Sequence, residues 1–156
     1  MDRKLVQLLV IFMIINFGGL YLGSALMNNG PVSNWYLSLA KAPWTPPGWV
    51  FGAAWTTIMI CFSIYLAYLF KFHDSLFLRL FFVLQVFLNV SWNYFFFNRY
   101  LVFFGLVIII SLFIVILNFY FNFKVKQRPK AKYFLLPYIA WLSIAISLNM
   151  YIVIHN

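Results

Sequence analysis

The side chains that could bind or react with another molecule are mainly aromatic rings and carboxamides. The chain has 6 Trp, 10 Tyr and 20 Phe residues, but only two acids, Asp2 and Asp74, and a single cysteine, Cys61. General acid–base catalysis needs positioned titratable groups, and a metal ion needs clustered soft or carboxylate ligands. We therefore predict no conventional catalytic residue, no metal site and no required cofactor.

Three carboxamides follow one another at helical spacing. Gln85, Asn89 and Asn93 are four residues apart, so they share one face of a helix, with Trp92 beside them. An amide that faces lipid loses its hydrogen bonds to water, so these groups should point inward. We interpret Gln85 as an interhelical hydrogen bond, and Asn89 and Asn93 as part of a cavity; interhelical bonding is the alternative for these two.

A second stripe lies near the end of the chain. Trp141, Ala145 and Leu148 are spaced for one helix face, and Asn149 borders them. An aromatic ring, a small residue and an amide suit the wall of a pocket for a flat apolar ligand. Helix packing is the alternative interpretation.

The segment "KAPWTPPGWVFGAAW", residues 41–55, is stiff and aromatic. We expect Thr45 to cap the helix that follows, with Pro46 and Pro47 in its first turn. Trp44 is then a hinge beside the pocket, Trp49 an interface residue and Trp55, two to three turns into the helix, a ligand contact.

The residues before this segment predict an ordered lid. About twenty residues, 28–47, separate two apolar runs, which is long for a loop without a purpose. Its middle can form a short helix capped by Ser33 or Asn34. Trp35 and Tyr36 would belong to this lid, or alternatively to an aromatic belt at the membrane interface.

These residues lie on or between segments long enough to cross a membrane. The chain is 65% hydrophobic and 8% charged, whereas soluble domains have about 25% charged residues. A spanning helix needs roughly 20 apolar residues, and five runs qualify, at about 5–27, 48–70, 77–98, 101–122 and 133–154. We predict an all-α fold, a five-helix integral membrane bundle that forms a single domain over residues 1–156.

The basic residues predict the orientation of the bundle. The net charge is +9, and 9 of the 11 Lys and Arg residues fall before the first run or in the second and fourth connections. This asymmetry follows the positive-inside rule, so the N-terminus should lie inside and the C-terminus outside. The basic stretch "KVKQRPKAK" is thus a topology signal that also contacts lipid headgroups, and no nucleic-acid partner is expected.

Three motifs in this order resemble the TspO/MBR family of tryptophan-rich sensory proteins, which includes the mitochondrial translocator protein (peripheral benzodiazepine receptor). They are "WYLSLAKAPWTPPGWVFGAAW", "LNVSWNYFFF" and "PYIAWLSIAISLN". They are spread along the chain, so the resemblance covers essentially its whole length. The resemblance implies a five-helix bundle, commonly a homodimer, that binds porphyrins such as protoporphyrin IX or haem-like tetrapyrroles, and in some members sterols or drug-like ligands. We expect the dimer face on the first or third span.

The resemblance also implies which residues meet the ligand. Trp55 and Trp141 would face it from the second and fifth spans, Asn89 would offer a hydrogen bond, and Trp92 would lie nearby. The span-five wall and the lid would supply the others, namely Ala145, Leu148, Trp35, Trp44 and Pro46.

The sequence departs from the family pattern at three places. Ala42 stands where the family usually has a proline, which here is moved by one residue to Pro43. Ala53 replaces a proline in the second span, so that span should be straighter, and Tyr94 replaces a common proline in the third span. The motif for sterols in the animal proteins is missing, so tetrapyrrole binding is the stronger expectation.

Three functions stay open at this point. The first is a membrane-embedded sensor or carrier, a receptor for porphyrins. The second, implied by some bacterial relatives, is light-dependent porphyrin breakdown, in which Trp55 and Trp141 would take part. The third is transport of tetrapyrroles or lipids, although the charged midplane residues and inverted repeats frequent in transporters are missing. A bacterial cytoplasmic membrane is the expected location, because no Arg-rich presequence is present.

Overall fold

The computed structural model describes residues 2–156, and the part that it describes is helical, with no strand. The α-helices are α1 (Arg3–Leu26), α2 (Asn34–Ser38), α3 (Gly48–Phe72), α4 (Leu76–Asn93), α5 (Val102–Asn122) and α6 (Leu136–His155). A π-helical turn, Tyr94–Asn98, extends α4, and short 3₁₀ segments cover Gly30–Val32 and Pro129–Leu135.

Five helical segments are long and apolar enough to cross a membrane: Arg3–Leu26, Gly48–Phe72, Leu76–Asn98, Val102–Asn122 and Pro129–His155. They confirm the five predicted spans. The main difference is at the start of the fifth, where the 3₁₀ segment adds a turn before Pro137. Pro137 lies in the first turn of α6, a position that suits proline. In the second span, α3 continues without interruption past Ala53.

Local capping explains several helix starts. The Asp2 carboxylate accepts a hydrogen bond from the Lys4 amide at the start of α1, and the Ser75 hydroxyl accepts one from the Leu78 amide at the start of α4. Such caps satisfy amides that have no partner inside the helix. The Ser33 hydroxyl caps α2 by accepting from the Tyr36 amide, as predicted.

The start of α3 differs from the prediction. Pro47 is extended, with φ −63° and ψ 152°, so the helix begins only at Gly48. Thr45 does not cap it, because its hydroxyl donates to the Ala42 carbonyl instead, at 2.7 Å. The two prolines therefore direct the chain into α3 without a side-chain cap.

The half of the bundle where α1 begins and α3 ends is filled by aromatic side chains. We call it the inner half, and the opposite half the outer half, as labels for the two ends of the helices. Phe62, Tyr65, Phe119 and Tyr138 are fully buried there. Phe62 packs against the other three with ring centroids 5.5–6.3 Å apart. This packing leaves no space for a ligand among these four rings.

Polar groups join the helices inside the bundle. The Gln85 amide donates to the Tyr138 hydroxyl at 2.9 Å, which links α4 to α6. The Asn16 amide donates to the Ser63 hydroxyl at 2.8 Å, which links α1 to α3. These bonds confirm the interpretation of Gln85 as an interhelical contact.

Gly19 and Gly23 bring α1 close to α4. A Cβ atom at Gly23 would lie 2.6 Å from the Asn93 amide nitrogen, which is too close for any other residue without a shift. At Gly19 it would lie 3.7 Å from a Val86 methyl group. Gly19 and Gly23, which form a G-x-x-x-G pair, thus face α4, and the two helices approach each other through these small residues.

Two ion pairs lie at the inner end. Lys71 pairs with Asp2 at 2.7 Å, and Arg79 pairs with Asp74 at 2.6 Å. The hydrogen bond from Lys71 lowers the pKa of Asp2, and the one from Arg79 lowers the pKa of Asp74. Both acidic side chains of the chain are therefore occupied at this end.

Candidate functional site

A cavity of about 550 Å³ lies in the outer half of the bundle. It is bounded by α1, α3, α4, α6 and the loop over residues 28–47, which we call the lid. Its lining comprises Gly19, Leu20, Ser24, Met27, Pro31, Tyr36, Lys41, Thr45, Pro46, Gly48, Phe51, Gly52, Trp55, Thr56, Asn89, Trp92, Asn93, Phe96, Phe97, Ala145, Leu148, Asn149 and Ile152. Its volume falls in the range of sites for drug-sized ligands, roughly 300–1,000 Å³.

The lid is ordered because its aromatic residues pack on the outer end of the third span. The Trp35 ring lies 5.9 Å from that of Phe96 and 4.4 Å from that of Tyr100, and Tyr36 lies 5.2 Å from Phe97. Gly30 is buried against Phe97, so closely that an added Cβ would overlap that side chain. These contacts hold α2 over the cavity.

The other end of the lid is fixed to α6. The Asn156 side chain accepts a hydrogen bond from the Ala40 amide at 2.9 Å and donates one to the Ala40 carbonyl at 3.2 Å. The Trp44 indole donates to the Ser147 hydroxyl at 3.1 Å, and its ring packs against Tyr151. The lid is therefore held on both sides of the cavity.

Trp55 and Trp92 provide aromatic surface inside the cavity. Trp55 is half-buried and packs edge-on against Tyr138, with ring centroids 5.9 Å apart. Trp92 stacks on Phe96 at 5.2 Å, and its indole donates to the Asn149 carboxamide oxygen at 3.1 Å. Both rings are fixed by neighbours, so they present preorganised surface to an apolar ligand.

Three carboxamides line the cavity, but they differ in their hydrogen bonding. Asn149 accepts from Trp92 and donates to the Val102 carbonyl. The Asn93 side chain donates to the backbone carbonyl of Asn89. The Asn89 side chain, only 9% exposed, has no hydrogen-bond partner among the described residues. Because Asn89 lines the cavity and spends no side-chain atom on another protein group, it is the carboxamide best placed to bond a ligand.

Six of the nine candidate ligand residues line the cavity: Pro46, Trp55, Asn89, Trp92, Ala145 and Leu148. The other three lie around it. Trp35 packs against Tyr100, outside the cavity lining. Trp44 lies on the surface of α6, where it is 55% exposed. Trp44 therefore attaches the lid to α6 and does not line the cavity.

Trp141 lies in the core instead of at the wall. It is 6% exposed and meets the edge of Phe51, with ring centroids 5.2 Å apart. Phe51 itself lines the cavity, one helical turn before Trp55. In this structure Phe51 therefore occupies the wall position that sequence reasoning gave to Trp141.

Several lining residues were missed by sequence reasoning, although helical spacing offered a signal for some of them. Phe51 precedes Trp55 by four residues, Phe96 follows Trp92 by four, and Ile152 follows Leu148 by four. The same spacing rule that defined the two stripes thus leads one turn further from Trp92 and Leu148, and one turn back from Trp55. No such signal pointed to Lys41 or to the α1 residues.

The π-helical turn places Phe96 and Phe97 against the lid. It begins at Tyr94, where the Arg99 amide donates to the Tyr94 carbonyl at 3.0 Å. Such turns insert an extra residue and are frequent at functional sites. The regular α-helix therefore ends at Asn93, and Tyr94 begins the π-helical turn.

The lining of the cavity combines aromatic faces with a few polar groups. Among the described residues, no three His, Cys, Asp or Glu side chains come together in a way that could hold a metal ion. The cavity offers aromatic faces, one free carboxamide and one lysine. Such a set can hold and orient a flat ligand.

Comparison with known proteins agrees with the motifs. The model of the TspO/MBR family matches residues 10–155. A tryptophan-rich protein TspO of Archaeoglobus fulgidus is 33% identical, with 98% of this chain and 97% of that protein covered. One of Chlorobaculum tepidum is 33% identical over 76% of this chain and 77% of its own length. The protein CrtK of Rhodobacter capsulatus is 30% identical, with 74% of each chain covered.

Proposed function

Since this chain belongs to the TspO/MBR family, we propose that it is a membrane-embedded binding protein for porphyrins and similar flat, largely apolar ligands. The ligand would lie in the cavity under the lid, and the protein would act as a sensor or carrier. Sterols and drug-like molecules are further candidates for the same cavity.

The observation that supports this proposal best is the free Asn89 carboxamide in a cavity with two fixed Trp rings. Trp55 and Trp92 offer flat surfaces for a conjugated ring, and burial of that ring stabilises the complex through its apolar area. Asn89 would then hydrogen-bond a polar atom of the ligand, such as a pyrrole nitrogen. The apolar surface gives affinity, and the amide fixes the orientation.

The direct test is a titration of protoporphyrin IX into the purified protein in nanodiscs, followed by quenching of Trp fluorescence. We expect saturable binding with one site per chain, weakened in Trp55→Phe and unchanged in Trp49→Phe, because Trp49 is 74% exposed away from the lining. Quenching that does not saturate, or that both variants share with the wild type, would contradict the proposal.

Light-dependent porphyrin breakdown is the alternative function. The family resemblance implicates two Trp residues in this reaction, Trp55 and Trp141. Only Trp55 lines the cavity, so this function is less well supported. Illumination of the porphyrin complex separates the two. Many turnovers to one product would support an enzyme, whereas bleaching that ends after about one equivalent would support binding alone. Flux of porphyrin into sealed proteoliposomes would support the transporter alternative.

The orientation and the membrane are proposals as well. We place the N-terminus inside, because Lys124, Lys126, Lys130 and the two ion pairs all lie at the end of the bundle where α1 begins. The bacterial cytoplasmic membrane would match that charge distribution. The lid would then face the opposite side, towards the periplasm or cell surface.

A homodimer also stays a proposal. The first and third spans are the least buried. In their most apolar segments 17% and 28% of the residues are buried inside the protein, against 39% in each of the other spans. A second copy could cover these faces through the apolar packing that holds transmembrane helices together. Light scattering of the purified protein in detergent, corrected for bound detergent, would give the mass; a monomer would contradict the proposal.

A further inference from the structure

Lys41 is the one charged side chain that lines the cavity. It belongs to the lid, is half-buried, and lies between α2 and the start of α3. Its ammonium nitrogen lies 4.6 Å from the centre of the Tyr36 ring, which also lines the cavity. The ring face attracts the ammonium group and holds it beside the cavity.

The chain supplies no acidic side chain for Lys41. Its only acids are Asp2 and Asp74. Both lie at the inner end, where they pair with Lys71 and Arg79. A half-buried cation that lacks a counter-ion is less well solvated than one in water, so an anion brought by a ligand would find this position favourable.

Tyr36 adds a hydrogen-bond donor to the lining of the cavity. Its hydroxyl has no partner among the described residues, and burial raises the pKa of Tyr36, so the phenol keeps its proton. A protonated phenol can donate to an anion, and a charge-assisted bond of this kind is stronger than a neutral one. Lys41 and Tyr36 thus form a pair suited to a carboxylate or a phosphate.

We propose that Lys41 and Tyr36 bind the anionic group of an amphipathic ligand, so that the cavity selects flat apolar molecules with a carboxylate or phosphate at one edge. This inference rests on the proposed binding function and specifies its ligand class. The apolar body would lie along Trp55 and Trp92, and the anionic edge would point towards the lid. Neutral ligands of the same shape would lose this contact.

The test compares mesoporphyrin IX, which has two carboxylates, with its dimethyl ester, which has the same ring and no charge. Both are titrated into the protein in phosphatidylcholine nanodiscs, with empty nanodiscs as the blank. We expect the wild type to bind the acid about tenfold more tightly than the ester. In Lys41→Met this preference should fall to about one, through weaker binding of the acid and unchanged binding of the ester.

Two matched variants serve as controls. Lys41→Arg keeps the charge and should keep most of the preference for the acid. Lys130→Met makes the same change of charge on the exposed inner side, far from the lining, and should behave as the wild type. Equal affinity of the wild type for acid and ester, or an undiminished preference in Lys41→Met, would overturn the inference.

The outcomes also separate this inference from the proposed function. Binding of both probes without preference contradicts the anion site alone. If neither porphyrin binds, the porphyrin proposal fails, and cis-parinaric acid with its methyl ester decides the anion site in the same way. Phosphatidylglycerol that displaces the acid from the wild type, but not from Lys41→Met, would identify a lipid phosphate as the natural anion.

Discussion

The Trp92 indole nitrogen lies 3.1 Å from the Asn149 carboxamide oxygen, and this hydrogen bond joins α4 to α6 at the wall of the cavity. Asn149 also donates to the Val102 carbonyl at the start of α5, at 3.1 Å. One side chain therefore connects three of the membrane-spanning helices. It fixes the ring of Trp92 in the position that faces the cavity.

Asn149→Leu should destabilise the bundle, because both hydrogen bonds are lost and the Trp92 indole keeps no partner. We expect a loss of about 1–2 kcal/mol in the free energy of unfolding, measured by SDS unfolding in mixed micelles with circular dichroism. Asn118→Leu is the control, since the Asn118 amide bonds only within α5. Equal losses in the two variants would show that Asn149 does not connect the helices as described.

Trp55→Phe and Trp141→Phe should have different effects, since only Trp55 lines the cavity. In Trp55→Phe we expect protoporphyrin IX to bind roughly three- to tenfold more weakly, as a smaller ring offers less stacking surface. In Trp141→Phe we expect unchanged affinity but about 1 kcal/mol less stability, because a core ring shrinks. A loss of affinity in Trp141→Phe with full stability would place the ligand deeper in the bundle, next to Trp141.

Asn89→Leu and Gln85→Leu should separate a ligand contact from a structural one. Asn89 has no side-chain partner, so its replacement should weaken porphyrin binding by about two- to tenfold and leave the stability unchanged or higher. Gln85 bonds Tyr138, so its replacement should lower stability and leave affinity unchanged. Fluorescence titration and SDS unfolding of both variants check this; the reverse pattern would contradict the assignment of the two amides.

Gly30→Ala should loosen the lid. The new Cβ would overlap Phe97, and inserted atoms in a packed site typically cost about 1–3 kcal/mol. We expect severalfold faster dissociation of porphyrin, followed by stopped-flow fluorescence after mixing with empty vesicles, and an unchanged helix content. Gly18→Ala is the control, because a Cβ there meets no atom within 4 Å. Identical dissociation rates would mean that Phe97 yields without moving the lid.

The proposed orientation predicts which residues an impermeant reagent reaches in intact cells. In a Cys61→Ser background, Asn34→Cys in the lid should react with an impermeant maleimide, while Lys130→Cys should react only after permeabilisation. Both positions are exposed, so reactivity depends on the side of the membrane. Labelling of Lys130→Cys alone in intact cells would reverse the orientation.

The sequence by itself determined the helices and much of the lid. The lengths of the apolar runs gave the five spans, because a membrane-spanning helix must cross a fixed thickness of hydrocarbon. The four-residue spacing of Gln85, Asn89 and Asn93 placed them on one inward face. Ser33 was one of the two caps that the sequence offered, since capping depends on residues close in the chain. These features follow from local geometry and from the membrane.

The tertiary structure alone decided which side chains meet the cavity and which amide stays free. Phe51 and Trp141 both face inward, yet the rotation of α3 against α6 puts Phe51 at the wall and Trp141 behind it. Asn149 finds its partners on α4 and α5, whereas Asn89 finds none for its side chain. Such choices depend on how the helices pack, and that packing is determined by contacts between residues distant in the chain.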